Sequence, residues 1–155
     1  MDKQEFTARV LAIEGRLYRI SCGLLKEEQD RLDAAQEAVI RAWQNLDRLR
    51  HEAFFETWLT RILINECRNI QRSLSRALPL DVVPEQTALP DADGELRRAV
   101  AALNVQLRLP VLLKYMEGYR TREIARILKI PEGTVKSRLR RARAELKRML
   151  GEEIT

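Results

Sequence analysis

Two helical patterns separated by one proline dominate the last third of the chain. Residues 121–128 and residues 132–148 each repeat apolar side chains at three- and four-residue steps, and Pro131 stands between them. Proline suits a turn or a first helical position, because its fixed φ fits there and its missing N–H is not needed. This order of a short helix, a tight break and a second helix predicts a helix-turn-helix, a motif whose second helix enters the DNA major groove.

The second helix of this motif has two different faces. The apolar residues at helical spacing, which are predicted to turn inward, are Val135, Leu139, Ala142, Leu146 and Met149. The remaining arc can meet phosphates and base edges, and it carries Lys136, Arg138, Arg140, Arg141 and Arg143. A basic amphipathic helix also suits a membrane surface or a calmodulin-like partner. Because residues 134–148 hold no aromatic side chain and a helix and turn precede them, DNA is favoured.

Composition indicates an all-α protein with two unlike modules. Aromatic residues make up only 5% of the 155 residues and glycine and proline are sparse, whereas good helix formers abound. Residues 108–148 hold thirteen Lys or Arg against four Glu, a net charge of +9, so the rest of the chain sums to −4. A basic tail beside a mildly acidic front predicts two modules with different partners.

Helical periodicity also divides the chain. Three helical patterns run over about residues 6–24, 28–49 and 53–73, and the second is predicted to turn inward Leu32, Ala35, Val39, Ala42, Trp43 and Leu46. Residues 77–94 hold three prolines and show no period, which predicts a flexible linker between domains at residues 1–76 and 95–155. Helical character returns at about residues 95–103 and 106–118, where Pro110 is expected to start or kink the second piece rather than lie within it. No strand is predicted.

No residue predicts a chemical site. Cys22 and Cys67 lie in apolar helical patterns without metal-ligand spacing, so we expect buried, reduced thiols. His51, the single histidine, lacks the oriented partner that a general base needs. No phosphate-binding glycine motif occurs, no apolar run approaches the roughly 20 residues of a membrane span, and the first residues do not form a secretion signal. We therefore expect a cytoplasmic protein that is not an enzyme and uses no cofactor, metal or small-molecule substrate.

Two polar faces distinguish the front module. Asp33, Gln36 and Glu37 share one exposed face near a helix start, where acids also simply complement the helix dipole. The next helix places on one face the residues Arg61, Asn65, Arg68 and Arg72, with Asn69 beside them and Phe54, Phe55 and Trp58 before them. Phe55 is expected in the core. The other side chains offer what an unstacked single strand requires, namely charge for phosphate, amides for base edges and rings for stacking.

At this point the whole chain resembles the extracytoplasmic-function (ECF) sigma factors, a group of the sigma-70 superfamily. Residues 33–43, DAAQEAVIRAW, resemble the family's core-polymerase-binding helix. Residues 55–65, FETWLTRILIN, resemble its segment that melts the promoter and reads the minus-ten element. The motif at residues 123–143, with PEGTVKSRL at its turn, resembles the helix-turn-helix that reads the minus-thirty-five element. The resemblance implies a transcription initiation factor.

The resemblance also implies roles for individual residues. Docking on the clamp helices of the core RNA polymerase is implied for Asp33, Gln36, Glu37 and Arg41, with the polymerase flap as a further contact of the chain. Minus-ten DNA contacts are implied for Phe54, Trp58, Arg61, Asn65, Arg68, Asn69 and Arg72, with Asn65 lining a pocket for a flipped base. Minus-thirty-five contacts are implied for Arg122, Thr134, Lys136, Ser137, Arg138, Arg140, Arg141 and Arg143. The family also implies an inhibitory anti-sigma factor, often anchored in the membrane.

Three residues depart from the family pattern. Asn104 stands where the family usually has a proline that opens a helix, and Pro110 is unusual further along the same helix. Glu66 follows Asn65 where a basic or small residue is commoner. A carboxylate there is expected to repel phosphate unless it faces away.

Two other functions fit parts of the sequence. A conventional helix-turn-helix regulator with a dimerisation or sensing module in front predicts palindromic sites and no dependence on polymerase. It leaves the face of Asp33, Gln36 and Glu37 and residues 54–65 unexplained. A polymerase-binding adaptor that has lost DNA readout is disfavoured by the intact basic set from Lys136 to Arg143.

Overall fold

The chain forms two compact helical units. The computed structural model describes residues 1–77 and 94–151. The units comprise Met1–Gln86 and Thr87–Thr155, and the helical content agrees with the predicted all-α class. The predicted linker at residues 77–94 lies, but for its two ends, outside the described residues.

The first unit contains three long helices: α1 (Lys3–Cys22), α2 (Glu28–Gln44) and α3 (Phe55–Ala77). Asp2 begins α1 by accepting a hydrogen bond from the Glu5 N–H at 2.8 Å, as an N-cap residue does. Two short 3₁₀ turns, Leu46–Arg48 and Glu52–Phe54, connect α2 to α3. The helix α2 ends before the predicted Leu49, because the Asn45 side-chain amide donates to the Arg41 carbonyl at 2.8 Å and offers the backbone an alternative to another turn.

Small side chains set the packing of α2. Its fully buried stripe is Ala34, Ala38 and Ala42, which allows close approach to the large apolar side chains of α3, such as Leu59 and Leu63. The rest of this core comprises Phe6, Leu17, Ile20, Cys22, Leu24, Leu25, Phe55, Ile64 and Cys67. Burial raises the pKa of the Cys67 thiol to about 12, so it stays protonated at neutral pH.

The predicted inward face of α2 was wrong at two positions. Leu32 is 50% exposed and Trp43 is 44% exposed. The prediction placed the largest apolar side chains inward, whereas the helix packs through its alanines and turns its large apolar residues to the flank beside α1. Trp43 still contacts Phe6 there, with ring centroids 5.1 Å apart.

The second unit is built around its last helix. It comprises α4 (Glu95–Ala102), α5 (Val105–Val111), a π-helical segment (Leu112–Met116), α6 (Thr121–Leu128) and α7 (Glu132–Leu150), and α7 contacts α4, α5 and α6. Of the apolar residues predicted to turn inward on α7, Met149 is half-buried and the others, Val135, Leu139, Ala142 and Leu146, are buried as predicted. They meet Ile124 and Ile127 of α6 in the core.

Asn104 and Pro110 both shape α5. Asn104 caps the helix by accepting a hydrogen bond from the Leu107 N–H at 3.1 Å, so it performs the opening role usually filled by proline in the family. Because the helix begins there, Pro110 lies inside α5 and not at its start. The chain then widens directly into the π-helical segment, where the Glu117 N–H donates to the Leu112 carbonyl at 3.1 Å.

One arginine counted in the basic tail does not reach the surface. Arg108 is 3% exposed, and its Nη1 donates to the Leu103 and Ala101 carbonyls at 2.5 and 3.4 Å. It thereby satisfies carbonyls at the C-terminal end of α4, and burial lowers its pKa. Arg108 therefore adds no charge to the surface of the second unit.

The turn between α6 and α7 contains a strained residue. Lys129 ends α6 in the left-handed conformation, at φ 54° and ψ 48°. We expect Lys129→Gly to raise the free energy of unfolding by about 1 kcal/mol, because glycine lacks the Cβ that disfavours this region. Urea unfolding of the full chain measures it. The control is Lys147→Gly within α7, which should lower stability by about 1 kcal/mol. A loss at both positions would contradict the left-handed turn.

Candidate functional site

A polar cavity lies between the end of α2 and the middle of α3. Its volume is about 320 Å³, and it is lined by Arg41, Asn45, Arg48, Trp58, Arg61, Ile62, Asn65, Glu66 and Asn69. Three guanidinium groups and three amides therefore surround one indole ring, with a single carboxylate among the lining residues. This combination offers hydrogen bonds to a base edge, a surface for stacking and positive charge for phosphate.

The α3 side of the cavity carries the predicted contacts that the structure brings together. Asn65 and Asn69 are exposed, one turn apart, while Trp58 and Arg61 are half-buried. The Trp58 ring packs against the core residue Phe55, with centroids 6.1 Å apart, which fixes the indole at the cavity wall. Burial lowers the pKa of Arg61, but an arginine stays charged at neutral pH.

Three other predicted minus-ten residues do not line this cavity. Phe54 is 40% exposed in the turn before α3, and its ring meets His51 edge-on at 5.9 Å. Arg68 is half-buried on α3, and Arg72 donates to the Asn69 Oδ1 at 3.2 Å one turn below the cavity. The DNA role of these three residues stays a prediction.

The α2 side of the cavity was missed in the sequence. Asn45 and Arg48 lie in the first turn after α2, inside what periodicity presents as a longer helix. The only sequence feature that marks them is their polarity at the end of an apolar pattern. Polar residues at such a position are usually interpreted as a solvated helix end, so they do not indicate a site. Arg41 was assigned to polymerase docking, yet it lines the cavity as well.

Glu66 does not act as a free carboxylate at the cavity wall. Its side chain is only 11% exposed, and its Oε1 forms an ion pair with the Arg41 Nε at 2.7 Å. The expected repulsion of phosphate is therefore largely cancelled, because the positive partner is on the exposed side of the pair. Arg41 also lies 3.3 Å from the Glu37 carboxylate.

An acidic and apolar surface lies on the outer face of α2. Asp33, Gln36 and Glu37 are all exposed, and Asp33 accepts a hydrogen bond from the Gln29 side chain at 2.9 Å. Beside them a groove of about 660 Å³ runs between α1 and α2, lined by Val10, Glu14, Gly15, Leu17, Tyr18, Leu32, Ala35, Gln36, Val39 and Ile40. An exposed apolar strip next to a patch of one charge is typical of a surface that binds another protein.

The basic arc of α7 faces solvent in the second unit. Lys136, Arg140, Arg141 and Arg143 are exposed, whereas Thr134, Ser137 and Arg138 are half-buried; Arg122 is exposed on α6. Two of these make local contacts: Lys136 lies 4.0 Å from Glu132, and Arg143 donates to the Tyr115 hydroxyl at 3.1 Å. Tyr115, 57% exposed in the π-helical segment, was not predicted as part of this surface.

Other site types are not seen in the described residues. Within residues 1–77 and 94–151, no three His, Cys, Asp or Glu side chains converge where a metal ion could sit. Among the helices of the same residues, none combines the length and apolarity that a bilayer crossing requires.

Comparison with known proteins identifies the family. Residues 10–77 match the Sigma-70 region 2 family, and residues 93–146 match Sigma-70 region 4. The ECF RNA polymerase sigma factor SigM of Mycobacterium tuberculosis is 36% identical over 88% of this chain and 72% of SigM. The ECF RNA polymerase sigma-E factor of Escherichia coli K12 is 34% identical over 72% of this chain and 69% of its own.

Solved structures share the fold. The sigma factor RpoE of Bartonella quintana, in complex with the anti-sigma factor NepR, gives a TM-score of 0.78 at 23% identity, covering 97% of this chain and 99% of RpoE. CnrH, in complex with the cytosolic domain of CnrY, gives a TM-score of 0.73 at 22% identity over 98% of this chain and 91% of CnrH. The relatives favour an initiation factor over a conventional helix-turn-helix regulator. This chain belongs to the ECF RNA polymerase sigma factors of the sigma-70 family and is a transcription initiation factor.

Proposed function

We propose that this sigma factor divides promoter recognition between its two units. Residues 1–76 bind core RNA polymerase and capture the minus-ten element, residues 95–155 read the minus-thirty-five element, and residues 77–94 link them. The protein carries out no chemistry of its own, since the polymerase synthesises the RNA. The observation that carries the proposal is the cavity between α2 and α3, with its three arginines, three asparagines and tryptophan.

In this proposal the cavity receives an unpaired base of the minus-ten element. Trp58 and Ile62 form its apolar wall, and the amides of Asn65 and Asn69 meet the polar edge of the base. Arg48 and Arg61 attract the phosphates on either side. Flipping a base costs a few kcal/mol, and stacking of about 1–3 kcal/mol per base together with these contacts offsets that cost. Opening is therefore driven by capture of the flipped base.

Polymerase docking is assigned to the outer face of α2. Asp33, Gln36 and Glu37 present acidic and amide groups there, with exposed Leu32 and Ile40 beside them. A clamp helix with basic residues beside an apolar stripe would match this surface in charge and in shape. The polymerase flap is the further contact, made by residues 95–155.

Upstream recognition is assigned to α7. Its exposed arginines can bond guanine O6 and N7 in bidentate fashion or clamp phosphate, and its N-terminal residues enter the major groove first. The half-buried Thr134, Ser137 and Arg138 lie at that end. Arg122 at the start of α6 is assigned to the DNA backbone.

An anti-sigma factor is proposed as the regulatory partner. RpoE is known in complex with the anti-sigma factor NepR. CnrH is known in complex with the cytosolic domain of CnrY. On this chain, the partner is proposed to bind the groove between α1 and α2, which offers apolar area. The groove lies beside the acidic face of α2 that is assigned to polymerase docking. A partner bound there excludes the polymerase, so core enzyme and inhibitor should compete for the purified protein.

The base-capture assignment predicts the effect of Asn65→Ala. This change should reduce open-complex formation by about 1–3 kcal/mol, the value of one base contact, with little effect on closed-complex binding. Permanganate reactivity of unpaired thymines measures opening, and filter binding at low temperature measures the closed complex. The control is Ser73→Ala, an exposed position on α3 outside the cavity. A larger loss in closed-complex binding than in opening would remove Asn65 from the base pocket.

A further inference from the structure

Arg41 lies where the docking face meets the cavity. Its Nε is 2.7 Å from the Glu66 Oε1 and 3.3 Å from the Glu37 Oε1. Glu37 is half-exposed on the outer face of α2, whereas Glu66 is nearly buried on α3. The guanidinium thus joins the two helices that form the cavity.

The ion-pair partner of Glu66 at the cavity wall is Arg41. Glu66 is the only acid among the residues that line the cavity, and its Oε1 lies 2.7 Å from the Arg41 Nε. A carboxylate that is nearly buried needs a cation close to it, because its desolvation is otherwise costly. The pair therefore fixes where the Arg41 side chain lies.

The geometry leaves part of Arg41 available. Both carboxylates approach its Nε, and its side chain is 52% exposed at the cavity rim. A guanidinium carries five donors in a rigid fork, so the edge formed by its two Nη groups remains for a bidentate acceptor. A phosphate oxygen pair matches that edge, and Arg48 and Arg61 add positive charge at the same cavity.

We propose that Arg41 binds a phosphate of the single strand held in the cavity, and that Glu66 is the positioning residue that holds Arg41 for this contact. The proposal rests on the assignment of the cavity to the minus-ten strand. It replaces the polymerase contact that the family resemblance implies for Arg41. Glu66 then improves DNA binding although it is itself an acid, because without it the guanidinium is no longer fixed at the rim.

Two affinities of the full chain test the proposal. The first is the affinity of labelled protein for core polymerase, and the second is the affinity of the assembled holoenzyme for a single-stranded minus-ten oligonucleotide at several salt concentrations. Arg41→Gln should lower oligonucleotide affinity roughly tenfold, as loss of one charged hydrogen-bonded contact does, and keep core affinity within about twofold. The slope of log K against log salt should fall by about 0.7, the value for one phosphate on a single strand.

The Glu66→Gln variant distinguishes two effects of Glu66 on DNA binding: its positioning of Arg41 and its own negative charge. Removing a negative charge from the cavity would strengthen oligonucleotide binding if the charge of Glu66 were its only effect. We expect weaker binding instead, and the double variant Arg41→Gln/Glu66→Gln should bind no worse than Arg41→Gln alone, since both act through one contact. If Glu66→Gln fails to fold, Arg41→Met/Glu66→Leu replaces the pair by an apolar one that keeps the packing and must show the same loss.

The failures are distinguishable. Loss of core affinity in Arg41→Gln with unchanged oligonucleotide affinity overturns the proposal and returns Arg41 to the polymerase interface. Stronger binding in Glu66→Gln overturns the positioning role. If Arg61→Ala and Asn65→Ala also leave oligonucleotide binding unchanged, the assignment of the cavity itself is wrong; if they weaken it and Arg41→Gln does not, only the role of Arg41 falls.

Discussion

Replacing Gln36 by Ala and Glu37 by Lys together is expected to abolish detectable binding to core RNA polymerase while helix content stays unchanged. Both side chains are exposed on α2, so their replacement leaves the alanine stripe of the core intact. A lysine at position 37 places positive charge against a partner surface that is expected to be basic, and such like-charge contact costs several kcal/mol. Fluorescence anisotropy with labelled protein measures the affinity, and circular dichroism measures the helix content.

Two controls make this result specific. Glu28→Lys changes the same charge at the first residue of α2, an exposed position outside the predicted face, and should bind core normally. Glu37→Gln removes the 3.3 Å contact with Arg41 without adding a positive charge, so it reports any indirect effect through that side chain. Unchanged core affinity in the Gln36→Ala/Glu37→Lys variant would reject the docking face on α2.

Arg141→Ala is expected to weaken binding to the minus-thirty-five element by about 1–3 kcal/mol if this arginine reads a base. Arg141 is exposed on α7 and makes no ion pair or hydrogen bond with any other described residue, so its guanidinium is available. The loss should be confined to promoters with the preferred base at the contacted position. Competition binding of the holoenzyme to a set of single-base variants of the element measures this.

Lys147→Ala is the matched control for Arg141→Ala. It removes one exposed positive charge from the same helix near its C-terminal end, away from the N-terminal residues that are proposed to enter the groove. Its effect should be small and independent of sequence. An equal loss on every DNA sequence in Arg141→Ala would mean that Arg141 contacts only phosphate.

The helices could be predicted from the sequence because their apolar periodicity is strong. Val135, Leu139, Ala142 and Leu146 repeat at helical steps and are buried as expected, and Pro131 immediately precedes α7. Periodicity was less informative on α2, where it did not show that the alanines form the buried stripe. Packing between helices favours small side chains at close contacts, and that preference depends on the partner helix rather than on α2 alone.

Local backbone chemistry explains the other differences. The early end of α2 depends on one side-chain hydrogen bond from Asn45, and the place of Pro110 depends on the cap that Asn104 provides. Both are decided by a few hydrogen bonds that compete with regular helix geometry. Spacing of apolar residues carries no information about them.

The cavity illustrates what sequence reasoning can and cannot predict about a site. Trp58, Arg61, Asn65 and Asn69 share one helix, so helical spacing predicts that they lie together. The opposite wall, formed by Arg41, Asn45 and Arg48, comes from another helix and the turn after it. The pairing of Glu66 with Arg41 spans 25 positions of sequence and depends on how α2 packs on α3.

Run-off transcription with purified bacterial core polymerase, with and without this protein, on a pooled promoter library tests the central claim most directly. We predict transcripts that appear only when the protein is present, from start sites that share two motifs at a fixed spacing. Such transcripts would also reveal the promoter sequence. Core binding without any new start site would favour an adaptor, and specific binding to palindromic DNA without polymerase binding would contradict the account.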